Sequence, residues 1–228
     1  VSFAIAAACA ALLVSPRRER PKRAVTFTEL VSGFSYVWNT KLVLAIMSMD
    51  LVAILFSGIL GMLPVFARDI LHIGPEGLGL LRAMPAVGAV AVGLFLAQLP
   101  LRDNVGRTLI ISVVVIGLSS TAFAFSEIFW LSLSLLCLFG AADMVSTNIR
   151  QTLVQLATPD DMRGRVSSVH SVTTNASNEI GDFRAGLTAA AIGIIPAVAL
   201  GGLVTVSLSL IWWRIFPDLR NVSMYGKR

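Results

Sequence analysis

The stretch VSSVHSVTTNASNEIGDFRAGLTAAAI, residues 166–192, decides how this chain folds. Its many Ser, Thr, Asn, Glu and Asp residues hide it from a hydropathy reading, yet two arguments make it a helix that crosses a bilayer. The chain runs apolar from Ala185 to Trp213, longer than the roughly 20 residues one span requires. Gly193 and Pro196 offer a break within that run, so one helix ends near Gly193 and another follows it. The second argument is charge, because loops rich in Lys and Arg stay in the cytoplasm. With a span through 166–192, all 18 Lys and Arg fall on one side except Arg68 on the other and Arg82 and Arg184 within spans. Without it, Arg214, Arg220, Lys227 and Arg228 move to the opposite side, against that rule.

The rest of the chain is easier. It is 56% hydrophobic and only 14% charged, against about 25% charged residues in a soluble domain. Five apolar segments stand out at 42–66, 78–99, 108–125, 129–149 and 197–213. The expectation is an all-α, polytopic membrane protein with six transmembrane helices over 42–215 and a cytoplasmic tail over 216–228. Residues 1–14 read as the end of a preceding transmembrane helix, which makes the sequence a fragment of a longer one. Residues 15–41 read as a cytoplasmic linker that starts with the basic run PRRERPKR at 16–23. From Phe27 onward, Leu30, Val31, Phe34, Val37 and Trp38 recur at three and four, the period of an amphipathic helix. Thr26 and Glu29 fit a capping box at its start. Such a helix lies at the membrane surface or serves as a plain linker.

Other functions find little support. The net charge is +5, but the bases sit between apolar runs and form no patch with interleaved aromatics, so nucleic acid is not an expected partner. There is no glycine-rich phosphate loop with a Lys and no nucleophile elbow. His72 and His170 cannot build a zinc site alone, and Cys9 and Cys137 read as packing residues. The expectation is therefore no enzyme, no cofactor and no metal.

Polar groups at membrane depth carry the chemistry, because a charge at the centre of a span costs about 2.5 to 3.5 kcal/mol on the lenient insertion scale. Asp50 lies eight residues into its segment, about 12 Å deep. Asp143 lies on a helix descending from Phe129 and reaches the inner part of the membrane. Both are candidates for a cavity or gating role, with a structural ion pair as the alternative. Arg150 follows Asp143 by two turns on one face and reads as a base snorkelling to the inner interface. On 166–192, Ser171, Asn175, Asn178, Glu179 and Asp182 form a polar stripe that lines water or packs on polar neighbours. Its carboxylates are candidates for a proton path, and Arg184 is placed to pair with Asp182 or Glu179. His170, near the inner end, reads as a solvated interface residue.

Three motifs carry a family resemblance: LRDNVGRT at 101–108, RQTLVQLATPDDMRGRVSSV at 150–169 and PEGLGLLRAMPAVGA at 75–89. Together they resemble the C-terminal half of the drug and siderophore exporters of the major facilitator superfamily, along essentially the whole chain. In the second motif Thr158 is placed to cap a helix, with Pro159 in its first turn and Asp160 and Asp161 at its positive end. The resemblance implies twelve helices in two six-helix halves, a central cavity, and alternating access driven by a proton gradient. It marks Asp103, Gly106 and Arg107 as a cytoplasmic loop signature; with Arg150, Arg163 and Arg165 they are the candidate gating residues. Asp50, Asp143, Asn175, Asn178, Glu179 and Asp182 are the candidates for transport or proton coupling. The implied partners are the lipid bilayer of a bacterial inner membrane, protons, a small-molecule substrate and a missing N-terminal half. A half-transporter acting as a membrane scaffold or interaction subunit stays open.

Overall fold

The computed structural model describes residues 27–98 and 104–216. The expected helix end over 1–14 with Cys9, the basic run, Thr26, Asp103 and the tail from 217 lie outside the described residues. The described chain is helical throughout: α1 Phe27–Asn39, α2 Lys41–Ser57, α3 Ile59–Asp69, α4 Pro75–Gln98, α5 Val105–Ala124, α6 Phe129–Ala157, α7 Arg163–Ile192 and α8 Ile194–Ile215. The all-α reading holds.

Five stretches are long and apolar enough to cross a membrane: Lys41–Asp69, Pro75–Gln98, Val105–Ala124, Phe129–Ala157 and Ile194–Ile215. The polar stretch 166–192 is also helical and lies within α7, a helix of 30 residues, about 45 Å long at 1.5 Å per residue. It packs against α1, α2 and α8. Gly193, with φ of 92°, separates it from α8, as expected from the sequence.

Three boundaries differ from the sequence reading. The segment 42–66 is two helices, because Gly58 takes the left-handed conformation at φ 44° and divides α2 from α3; glycine alone enters that region at no steric cost. The segment 129–149 continues to Ala157. It stops there because Thr158 precedes a proline, which drives it out of the helical region to φ −110°, ψ 125°. Thr158 consequently closes α6, its hydroxyl donating to the Val154 carbonyl at 2.6 Å, and does not cap α7. Residues 159–162 form a turn, Met162 and Arg163 both donating backbone N–H to the Pro159 carbonyl.

Two apolar clusters mark the two ends of the bundle. One gathers Ile59, Leu63, Phe66, Leu81, Phe123, Leu136 and Val198. The other gathers Ala45, Ile46, Met49, Val105, Leu109, Ile149 and Leu153 with Trp212 and Phe216. Small residues set the spacing: a Cβ on Gly88 would run into the Cys137 carbonyl, and one on Gly140 into the Pro85 carbonyl. The α4–α6 crossing is therefore a backbone-to-backbone contact, the way helices approach in lipid, where no hydrophobic force draws them together.

Candidate functional site

The helices bring three ionisable side chains to one depth. Asp50 is nine residues past the start of α2, Arg150 seven residues before the end of α6, and His170 seven residues past the start of α7. All three ends belong to the same face of the bundle, so each side chain stands about 10 to 14 Å in from it. There they meet. Arg150 Nη1 is 2.9 Å from Asp50 Oδ1, and His170 Nε2 is 3.0 Å from Asp50 Oδ2. Asp50 and Arg150 are 3% and 5% exposed. Asp50 Oδ1 makes the ion pair without a well-aligned hydrogen bond, whereas Arg150 Nη2 donates to Thr147 Oγ1 at 2.9 Å. A second carboxylate, the half-exposed Asp143, stands 4.0 Å from Arg150 Nη2.

One carboxylate thus ties three helices together. Charges this deep persist only when paired, because removing them from water costs several kcal/mol per ion. Arg150 is always protonated, so Asp50 faces a permanent cation on one side and an imidazole on the other. A proton on either His170 Nε2 or Asp50 Oδ2 serves the bond between them.

The node stands between two cavities. One, of about 250 Å³, is lined by Ser57, Gly58, Asp143, Arg150, Asn178 and Asp182 among apolar neighbours including Ile116 and Phe139. The other, of about 430 Å³, is lined by Gln151, Gln155, Arg163, Ser167, His170 and Ser171. Arg150 borders the first, His170 the second, and Asp50 joins them.

A second arginine does different work. Where α2 breaks at Gly58, the last carbonyls of the helix lose their internal donors. Arg184 of α7 supplies replacements, Nε donating to the Leu55 carbonyl at 3.0 Å and Nη2 to the Phe56 carbonyl at 3.1 Å. Its guanidinium also lies over the Phe56 ring, 5.1 Å from the centroid. The expected pairing of Arg184 with Asp182 or Glu179 is therefore not made: the broken helix end claims its donors, and Asp182 packs beside Gly61 instead.

The other candidates divide. Asn178 and Asp182 line the smaller cavity and Ser171 the larger, whereas Asn175 and Glu179 are exposed. Gly106 is buried in the first turn of α5 and Arg107 is exposed beside it. Arg163 pairs with Asp160 at 2.6 Å and donates to the Gln155 carbonyl, and Arg165 reaches Met162 Sδ at 3.6 Å. These contacts lie at the α6–α7 turn. Two readings change most. Arg150 does not snorkel to the interface but pairs with Asp50, and His170, on the wall of the larger cavity, also reaches in to Asp50. The segment read as 129–149 left Arg150 at its end; only the longer α6, which runs to Ala157, puts Arg150 and His170 level with Asp50.

The model of the Major Facilitator Superfamily matches residues 1–181. Among curated proteins, the chain is 24% identical over 204 residues to "Enterobactin exporter EntS" of Citrobacter koseri, covering 90% of this chain and 48% of that protein. It is 25% identical over 212 residues to the protein of the same name from Salmonella typhi, covering 92% of this chain and 51% of that one. The chain spans about half the length of the curated relatives it matches. With the match over 1–181, the helical bundle and its paired charges at membrane depth find their place: the chain belongs to the Major Facilitator Superfamily.

Proposed function

We propose that this chain is the C-terminal half of a proton-driven exporter of a small, lipophilic or siderophore-like molecule, working by alternating access in a bacterial inner membrane. One observation carries the coupling: Asp50 links Arg150 at one cavity to His170 at the other. A proton arriving through His170 neutralises Asp50 and removes the counterion of Arg150. The guanidinium then turns toward Asp143, two turns away on its own helix. The tie between α2 and α6 loosens and the half changes shape. Asp182 and Asn178, on the wall of the smaller cavity, are proposed to face the substrate. Asn175 and Glu179 extend that polar face of α7 toward an N-terminal six-helix half.

Asp103, Gly106, Arg107, Arg163 and Arg165 belong in this reading to the cytoplasmic gate, with the C-terminus on the cytoplasmic side. The siderophore-like class is supported by the similarity to enterobactin exporters. The test is export by the full-length protein in inverted vesicles, with a catecholate siderophore as probe and an imposed pH gradient. Export that collapses when an ionophore dissipates the gradient is expected. Export indifferent to the gradient removes the coupling, and absence of transport for every amphiphilic probe favours a half-transporter scaffold.

A further inference from the structure

Helix α1 presents two faces, and α7 uses only one. Val37 is buried, Gly33 lies against the Arg165 carbonyl and Val169 of α7, and the Tyr36 hydroxyl donates to the Ala157 carbonyl at 2.9 Å. These contacts fix the helix against the end of the bundle where α6 stops and α7 starts. Turned away from them, Val31, Phe34 and Trp38 form an apolar stripe at spacings of three and four, 52%, 54% and 64% exposed. The rings of Phe34 and Trp38 stack with centroids 6.0 Å apart, so the stripe is preformed.

From this geometry we infer that α1 is a docking helix for anionic phospholipid, seated in the headgroup region of the bilayer that holds the bundle. Three observations select this occupant. Only Thr40 separates α1 from the span that begins at Lys41, which places α1 at the membrane boundary. Tryptophan beside an aliphatic stripe suits that boundary, where one part of the ring is wet and the other apolar. Finally, Arg17, Arg18, Arg20, Lys22 and Arg23 precede the helix in sequence, with Glu19 the single acid among them. Clustered bases next to a membrane helix favour anionic headgroups over zwitterionic ones. By holding the start of α7, which carries His170, α1 couples lipid charge to the position of that helix.

The experiment reads the fluorescence of Trp38 in the full chain reconstituted into vesicles. Phosphatidylcholine or phosphatidylglycerol, brominated near the headgroup, is present at equal mole fraction. The Trp38 contribution is the difference between the parent and Trp38→Phe, a change at an exposed site. Quenching about threefold stronger with the brominated anionic lipid is expected. That preference is expected to disappear when Arg17, Arg18, Arg20, Lys22 and Arg23 are all replaced by Gln. Absence of quenching by either lipid would mean that protein covers the stripe, a second copy or another part of the transporter, and would overturn the proposal. Equal quenching by both lipids, unchanged in the Gln variant, would overturn the anionic preference.

Discussion

Arg150 and Arg184 both place a guanidinium within the bundle, and their partners differ in kind. Arg184 is held by two backbone carbonyls and an aromatic ring, none of which changes charge. Arg150 is held by a buried carboxylate that itself touches a histidine, with a second carboxylate at 4.0 Å. The first arrangement is a fixed cap on a broken helix. In the proposed exporter the second has two settings, one with Arg150 on Asp50 and one with it on Asp143. The proposed difference between a structural arginine and a switching one is therefore whether a second ionisable partner stands within its reach.

The largest effect is expected from Arg150→Met, which leaves Asp50 buried without its cation and should destabilise the full-length protein by about 3 to 5 kcal/mol. Adding Asp50→Asn should recover most of that loss, because a neutral pair of similar volume needs no counterion. Thermal unfolding in detergent measures both, and a double variant as unstable as the single would break the pairing. Arg184→Met should cost less, about 1 to 3 kcal/mol for carbonyls left without donors. Its deficit should not be recovered by Asp50→Asn, and thermal unfolding of that double variant separates it from the Arg150 node. The smallest change in stability is expected for His170→Gln, within about 1 kcal/mol, because an amide can still donate to Asp50. It should nevertheless flatten the dependence of transport on pH, and an unaltered pH profile would take His170 out of the relay.

The framework around this contrast was legible in the sequence, whereas the contrast itself was not. The membrane spans follow from apolar length, and α7 from the charge rule and the break at Gly193, because these are properties of whole segments. Asp50 and Asp143 were legible as costly charges. The roles of Arg150, His170 and Arg184 were not, since each depends on which residue of another helix stands opposite. The break at Gly58 hid Arg184's partners in particular, because a glycine inside an apolar run does not by itself mark a helix end. Thr158 misled by a local ambiguity, because a Thr–Pro pair serves the end of one helix as readily as the start of the next.

The central claim, that proton movement and substrate movement meet at Asp50, is tested most directly by separating them in one variant. Asp50→Asn in the full-length protein, reconstituted in vesicles, should lose accumulation driven by a pH gradient while retaining exchange of labelled for unlabelled substrate at equal pH. Gradient-driven accumulation at the parent's level in that variant would contradict the account.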